Sequence, residues 1–315
     1  MDYRALGSSG IEVSAVGFGT WVMGGEHWGK ADDTQSIAAI HAALDAGVNL
    51  IDTAPAYGRG HAEEVVGKAI RGRRDRVIIA TKCGLHAAGR TFLFNLKPAE
   101  IRKELEESLR RLGVDTIDLY QCHWPDPETP IEETMREMVA MREEGKIRAI
   151  GVSNFEPPLL ARALAAGPVA SLQPQYSLLQ RKIEAETLPL CRARNLGVIS
   201  YGTLGSGILT GKYTDPPCFN KTDCRSFFYM FYREPHWSRT QKLLGEMREI
   251  ADRRGRPLAQ VAINWVRQQE GITAALVGGR TAEQAVMNAG AIEWELSPEE
   301  LAAITAACDR ILAAR

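Results

Sequence analysis

The chain has 315 residues, of which 45% are hydrophobic and 24% are charged, so it can bury a substantial core. This length suits either two domains or one large α/β barrel, since a domain typically takes about 100–200 residues. Its 38 Lys and Arg residues are balanced by 39 Asp and Glu residues, which leaves a net charge of -1. The balance argues against roles that need a strong positive field, such as binding nucleic acid or an anionic membrane surface.

The first ten residues, MDYRALGSSG, lack the basic and apolar regions of a signal peptide, and no apolar run approaches the ~20 residues of a membrane span. We therefore expect a cytoplasmic protein with no membrane partner. The 6 cysteines form no CxxC pair, which argues against a disulfide framework. Cys218, Cys224 and His236 share one aromatic-rich stretch, but their spacing matches no common zinc pattern, so we predict no metal site.

The N-terminus predicts a β-hairpin, because residues 3–6 and 11–13 flank the turn GSSG. After it, short apolar runs rich in Val and Ile predict strands. In chain order these runs are residues 15–19, 49–52, 77–82, 117–122, 147–152, 172–175, 198–201 and 272–277.

Segments of helical periodicity separate the predicted strands. Residues 97–112 predict a helix whose apolar side chains fall on one stripe: Ile101, Leu105, Leu109 and Leu112. Left-handed caps are expected at the glycines that follow three of the helices, Gly47, Gly113 and Gly145. TAEQ at 281–284 and SPEE at 297–300 predict capping boxes that open helices.

Strands that alternate with helices predict a parallel sheet covered by helices. An eight-unit repeat of this length fits a (β/α)8 TIM barrel better than a doubly wound sheet. The N-terminal hairpin would plug the bottom of the barrel, residues 214–239 would form an insertion after the seventh strand, and the helix from Ser297 would be an extra one. No linker divides the chain, so we predict one domain over residues 1–315.

Polar side chains follow the predicted strands, and in TIM barrels these carboxyl ends carry the catalytic residues. Asp52, Tyr57, Lys82 and His123 would converge on one mouth. A free Tyr titrates near 10, and an adjacent ammonium can lower that pKa, so we expect Lys82, held by Asp52, to activate Tyr57. With no candidate metal site and no activated Ser or Cys nucleophile, this set suits protonation of a carbonyl oxygen during hydride transfer from a cofactor.

Five segments form a more specific pattern. They are GVNLIDTAPAYGRGHAEEVVGKAI at 47–70, IATKCG at 79–84, DTIDLYQCHWPD at 115–126, IGVSNF at 150–155 and LQPQYSLLQ at 172–180. In this order, over nearly the whole chain, they resemble the aldo-keto reductase family, a (β/α)8 barrel that binds NADPH without a Rossmann domain. The resemblance implies that the catalytic tetrad is Asp52, Tyr57, Lys82 and His123, with Tyr57 the general acid in reduction and His123 orienting the carbonyl.

The resemblance also implies contacts to the cofactor. Ser153, Asn154 and Gln173 would bind the nicotinamide carboxamide, and Tyr201 would stack on the ring. In GTLGSG at 202–207, which resembles the loop over the pyrophosphate, the contacts would come from Leu204 and Ser206.

A second anion site is expected in VGGRTAEQAVMNAG at 277–290, where Arg280 stands beside a helix N-terminus. Arg280 and Gln284 would meet the 2′-phosphate and Asn288 the adenine, which favours NADPH while leaving NADH as an alternative. Many family members carry a second basic residue near the start of this loop, and Gly278 takes that place here.

Aromatic residues cluster in the loops expected above the site. They include Trp21, Trp28, Phe92, Phe94 and Trp124, and in residues 214–239 Phe219, Phe227, Phe228, Tyr229, Phe231, Tyr232 and Trp237. An apolar wall around a polar tetrad suits an aldehyde, ketone or sugar, and we expect Trp21 and Trp124 to contact the substrate. The 214–239 segment would set specificity or act as a lid.

Three functions agree with these residues. The leading one is an NADPH-dependent oxidoreductase that reduces an aldehyde, ketone or sugar carbonyl. The alternatives are an NADPH-binding regulatory barrel, similar to channel-associated β subunits, and a sugar or polyol dehydrogenase that works oxidatively. A monomer is preferred, because small barrels of the family can act alone. The residues fix neither the physiological substrate nor the direction of the reaction.

Overall fold

A closed barrel of parallel strands forms the centre of the computed structural model, which describes residues 2–88 and 91–312. The strands in chain order are β1 (Tyr3–Ala5), β2 (Glu12–Ser14), β3 (Val16–Gly19), β4 (Leu50–Asp52), β5 (Ile78–Cys83), β6 (Leu85–Ala88), β7 (Thr91–Phe94), β8 (Ile117–Cys122), β9 (Ile147–Ser153), β10 (Val169–Gln173), β11 (Gly197–Ser200) and β12 (Ala274–Gly278). The barrel runs β10-β11-β12-β3-β4-β5-β8-β9 and closes on itself. The prediction of a (β/α)8 TIM barrel is confirmed.

Helices cover the outside of the barrel. They are α1 (Asp33–Asp45), α2 (His61–Ala69), α3 (Pro98–Leu112), α4 (Ile131–Glu143), α5 (Pro157–Ala166), α6 (Thr187–Ala193), α7 (Cys224–Phe227), α8 (His236–Arg254), α9 (Leu258–Arg267), α10 (Ala282–Ala289) and α11 (Pro298–Leu312). The predicted cap at Gly113 is confirmed by its left-handed φ of 66°. The capping box before α11 is also confirmed, since Ser297 and Glu300 exchange hydrogen bonds of 2.9 and 3.2 Å between backbone N–H groups and side chains.

The N-terminal hairpin closes the lower end of the barrel, as predicted. Strands β1 and β2 pair antiparallel, and the buried residues of this hairpin, Leu6, Ile11 and Val13, pack inside the barrel against residues such as Leu50 and Leu119. Because apolar side chains fill this end, the accessible end is the one where the strands finish.

Two features differ from the predicted elements. The strand predicted at 172–175 is β10 and ends at Gln173, because Pro174 has no N–H with which to continue the ladder. A second antiparallel hairpin, β6 paired with β7, follows β5 and was not predicted. Its sequence lacks the regular alternation of apolar and polar residues that signals a strand.

The segment predicted as an insertion, 214–239, is folded over the carboxyl end of the barrel. It contains α7 and the first turn of α8. The backbone N–H of Cys224 donates to the carbonyl oxygen of His27 at 2.9 Å, which ties the segment to the loop after β3. The prediction of one domain over residues 1–315 stays a prediction. Within the part of the chain that the structure describes, no helix is long and apolar enough to cross a membrane.

The plug generates a stability prediction. Leu6→Ala removes a fully buried side chain from the lower end of the barrel and should lower the free energy of unfolding by about 3 kcal/mol, measured by urea denaturation. The control is Glu12→Gln, at an exposed position of β2, which should change it by less than about 0.5 kcal/mol. Equal stability of the two variants would contradict a plug that contributes to the core.

Candidate active site

A pocket of about 670 Å³ opens where the barrel strands end, and its lining comes from β3, β4, β9, β10 and β12 and from the loops at this end of the barrel. Its walls contain all but one of the residues predicted for the site: Trp21, Asp52, Tyr57, His123, Trp124, Ser153, Asn154, Gln173, Tyr201, Leu204, Ser206, Gly278, Arg280, Gln284 and Asn288. The remaining one, Lys82, is fully buried and contacts Tyr57. The fold therefore brings the predicted residues to one place.

Lys82 and Asp52 form a buried ion pair on adjacent strands. The Lys82 Nζ donates to Asp52 Oδ1 at 2.9 Å, to Oδ2 at 2.7 Å and to the carbonyl oxygen of Thr53 at 2.9 Å. The side chains are 0% and 5% exposed. Either charge alone would be costly to bury, so each depends on the other.

Tyr57 stands directly above this pair, in the loop between β4 and α2. Its Oη lies 3.2 Å from Lys82 Nζ, and its ring is stacked on Trp21 with centroids 6.0 Å apart. The following residue, Gly58, has a φ of 62°, and a Cβ there would collide with the backbone of Gly24. Glycine is thus required for the close approach of the two loops that holds Tyr57.

The pKa of Tyr57 differs from the expected direction. Burial raises it well above its ordinary value, and the charge of Asp52 raises it further. This net direction is opposite to the lowering expected from Lys82, whose ammonium is paired with both oxygens of Asp52. The contribution of Lys82 itself stays a prediction. Tyr57 is therefore held as a neutral phenol, which is the form that can donate a proton.

His123 follows β8 and faces Tyr57, with the two rings edge to face at 5.9 Å. Burial lowers its pKa well below the ordinary value, and the positive charge of Lys82 adds to the effect. The imidazole is thus neutral, with one ring N–H to donate. Its Nδ1 is buried and has no hydrogen-bond partner among the residues that the structure describes.

The residues predicted to hold a carboxamide form one connected network. Asn154 has a φ of 62°, donates from Nδ2 to the carbonyl oxygen of His123 at 3.0 Å and accepts from Tyr201 Oη at 2.8 Å. The Ser153 hydroxyl donates to the carbonyl oxygen of Gln173 at 2.7 Å. The Gln173 side chain donates to the Asp52 carboxylate, a contact that the sequence did not predict.

The other end of the pocket fits a dinucleotide. Two buried polar atoms there, Ser206 Oγ and Asn288 Oδ1, lack a partner among residues 2–88 and 91–312. A buried polar atom without a hydrogen-bond partner is unfavourable, so a polar ligand in this part of the pocket would be stabilised by bonding to these two atoms. Arg280 donates to the carbonyl oxygens of Trp28 and Lys30, and its backbone N–H donates to Gln284 Oε1 at 2.8 Å. Arg280 therefore also ties two loops together.

Two cations in the pocket wall were missed. Lys212 lies near Gly207 with its Nζ 4.8 Å from the centre of the Tyr213 ring, and it has no ion pair with the described residues. Arg225 is paired with Asp223 at 2.6 Å. The sequence did contain a signal for Lys212, because this cation follows the loop at 202–207 that is expected to bind phosphate.

The predicted aromatic wall divides into two groups. Phe92, Phe94, Phe227 and Phe228 form an exposed group at the mouth, which we call the aromatic rim; each is 41% to 55% exposed. The rim reaches the site through ring contacts of Phe94 with Trp124 at 6.3 Å and of Phe228 with Trp21 at 6.5 Å. Other rings pack within their own segment, as Phe219 does on Tyr232 at 4.8 Å.

The candidate metal ligands are not brought together. Within residues 2–88 and 91–312, no group of three or more His, Cys, Asp or Glu side chains is placed to hold a metal ion. Cys218 is exposed, whereas Cys224 is buried.

Known proteins are similar to this chain in sequence over nearly its whole length. The model of the aldo/keto reductase family matches residues 15–309. Aldo-keto reductase YhdN of Bacillus subtilis (strain 168) is 41% identical over 95% of this chain and 91% of its own. An NADH-specific methylglyoxal reductase of Escherichia coli (strain K12) is 35% identical over 93% and 94%.

Solved structures agree in fold over almost the entire length. The glycerol dehydrogenase AKR11B4 from Gluconobacter oxydans superposes with a TM-score of 0.91 at 40% identity, covering 99% of this chain and 96% of the other. An aldo/keto reductase from Klebsiella pneumoniae in complex with NADP and acetate gives a TM-score of 0.76 at 33% identity, covering 98% and 95%.

The environment of His123 generates a prediction about its charge. Because burial and Lys82 both disfavour the imidazolium, His123 should stay neutral as the pH falls through about 6.5, where an ordinary histidine becomes charged. Ring NMR signals of the cofactor-free protein, assigned with a His123→Gln variant, measure this. A titration of His123 with its midpoint at or above about 6.5 would contradict the prediction.

Proposed function

The chain belongs to the aldo/keto reductase family and is an NAD(P)H-dependent oxidoreductase acting on carbonyl groups, and from this premise we propose that Tyr57 is its proton donor. One observation carries the proposal: the Lys82 ammonium is within hydrogen-bond distance of both the Asp52 carboxylate and the Tyr57 hydroxyl. A phenol next to a held ammonium can lose its proton and leave a stabilised phenolate.

In reduction, bound NAD(P)H would supply the hydride that reaches the carbonyl carbon. Tyr57 and His123 both line the pocket, where each would donate a hydrogen bond to the carbonyl oxygen. As this oxygen gains negative charge, Tyr57 transfers its proton to it, and Lys82 stabilises the phenolate that remains. Asp52 keeps Lys82 in place and charged.

We propose that the residues predicted to contact the cofactor do bind it. Ser153, Asn154, Gln173 and Tyr201 would meet the nicotinamide end, since they stand beside the tetrad in one hydrogen-bonded network. Contacts to the pyrophosphate and the adenosine would come from residues at the other end of the pocket, namely Leu204, Ser206, Gly278, Arg280, Gln284 and Asn288.

NADPH is the proposed preferred cofactor. A guanidinium has five N–H donors, so Arg280 can keep its bonds to Trp28 and Lys30 and still donate to a 2′-phosphate. The Klebsiella pneumoniae relative is crystallised with NADP, while the Escherichia coli relative is NADH-specific, so NADH remains an alternative.

For the substrate we propose an aldehyde or ketone on an apolar or aromatic body. Trp21 and Trp124 stand beside the tetrad, and the aromatic rim continues from them to the surface. Such a wall rewards burial of apolar surface and excludes water from the reacting oxygen.

The alternatives are less well supported. The comparisons favour carbonyl reduction over a regulatory barrel or an oxidative sugar or polyol dehydrogenase, although one similar structure is a glycerol dehydrogenase. A cytoplasmic location and action as a monomer stay proposals.

The first test follows NADPH absorbance with benzaldehyde as substrate. Tyr57→Phe should lower kcat by about 10²–10⁴-fold, since it removes the donated proton while keeping the ring that packs on Trp21. The control, Tyr3→Phe, lies at the opposite end of the barrel and should leave kcat unchanged. Full activity of Tyr57→Phe, with NADPH binding intact in both variants, would sink the assignment.

The second test concerns cofactor choice. Arg280→Met should raise the KM for NADPH by about 10–100-fold, because it removes a hydrogen bond between charged groups. It should leave the KM for NADH nearly unchanged. Arg71→Met, at an exposed site outside the pocket, is the control. Equal increases in the KM of both cofactors would argue against recognition of the 2′-phosphate.

A further inference from the structure

Gln173 makes an unexpected contact with the catalytic carboxylate. Its side-chain Nε2 donates to Asp52 Oδ1 at 2.7 Å, and both residues are buried. Gln173 is the last residue of β10 and Asp52 the last of β4. These strands are four places apart in the closed order, so the amide spans the barrel from one side to the other.

The contact adds a third N–H to a carboxylate that already holds Lys82. Asp52 Oδ1 accepts from Lys82 at 2.9 Å and from Gln173 at 2.7 Å, while Oδ2 accepts from Lys82 at 2.7 Å. A carboxylate that can rotate would lose one of the two bonds to Lys82. The Gln173 amide restricts that rotation, because it holds Oδ1 from the opposite wall.

We propose that Gln173 is a positioning residue of the proton relay, which orients Asp52 so that both of its oxygens hold Lys82 beneath Tyr57. The inference rests on the proposed role of Tyr57. It goes beyond the nicotinamide contact, because it gives the same amide a second task on the carboxylate.

The two ends of the amide make both tasks compatible. Its Nε2 is used by Asp52, and its Oε1 has no hydrogen-bond partner among the residues that the structure describes, while the side chain lines the pocket. A donor that binds Oε1 polarises the amide and strengthens the bond from Nε2 to Asp52. Gln173 thus links occupancy of the pocket to the ion pair.

Loss of the hydrogen bond from Gln173 to Asp52 should change the acidity of Tyr57 in one direction. Without the N–H of Gln173, the negative charge of Asp52 is less well compensated at Tyr57, so the phenol becomes a weaker acid. The other titratable groups around Tyr57 and Lys82 are His123, Tyr201, Tyr229 and Glu63. None of them changes in the experiment below.

The test compares Gln173→Met with wild type at saturating cofactor. We expect kcat for benzaldehyde reduction to fall about tenfold, the order of one hydrogen bond to a charged group. In the reverse direction, with benzyl alcohol and NADP⁺, the rise of kcat with pH should move upward by about one pH unit. A crystal structure of cofactor-free Gln173→Met should show Asp52 rotated away from one of its bonds to Lys82.

A second variant provides the rescue. In Gln173→Glu, a protonated carboxyl can replace the amide as donor to Asp52, whereas an ionised one repels it. Burial and Asp52 favour the protonated form. We expect kcat for reduction near the wild-type value at low pH and a fall as rising pH removes that proton.

Asn288→Ala is the control for an effect through cofactor binding alone. It should raise the KM for NADPH and leave the pH profile of kcat unchanged. If Gln173→Met behaves in the same way, with Asp52 unmoved in its crystal structure, the positioning role is overturned. Absence of turnover by wild type would instead overturn the proposed function, so the two failures are distinguishable.

Discussion

The buried ion pair between Lys82 and Asp52 is the contact on which the rest of the site depends. Neither charge could stay in the barrel interior without the other, since an unpaired buried charge costs several kcal/mol. The pair fixes the position of the ammonium, which lies 3.2 Å from the hydroxyl of Tyr57, the proposed proton donor. The barrel supplies the required geometry because β4 and β5 are neighbours in register.

The same pair also decides the resting charge of the site. Burial raises the pKa of Tyr57 and keeps the phenol protonated, and the negative charge of Asp52 acts in the same direction. His123 is neutral for a related reason, since the buried site disfavours a second positive charge beside Lys82. These protonation states, a proton on Tyr57 and an N–H on His123, are the ones that the proposed reduction requires.

Loops from distant parts of the chain then close over this centre. Arg280 donates to Trp28 and Lys30, and Cys224 donates to His27. These hydrogen bonds connect the loops that follow β3, β11 and β12 above the site. The lower end is filled by the N-terminal hairpin. The barrel is therefore open at one end, where the aromatic rim surrounds the polar residues Asp52, Tyr57, Lys82 and His123.

The sequence by itself determined the barrel, its hairpin plug and the convergence of Asp52, Tyr57, Lys82 and His123. Those features follow from local periodicity, from caps such as Gly113, and from the rule that parallel strands finish at one end. The roles assigned to these four residues, including the acid role of Tyr57, stay predictions.

Only the tertiary structure decided how these residues act on one another. The bond from Gln173 to Asp52 joins residues 121 positions apart, and the contact of Arg280 with Trp28 spans 252 positions. The direction of the Tyr57 pKa shift depends on burial and on the nearby charge of Asp52. Sequence spacing shows which charges are available, whereas the distances between them, and so the strength of each field, exist only in the folded chain.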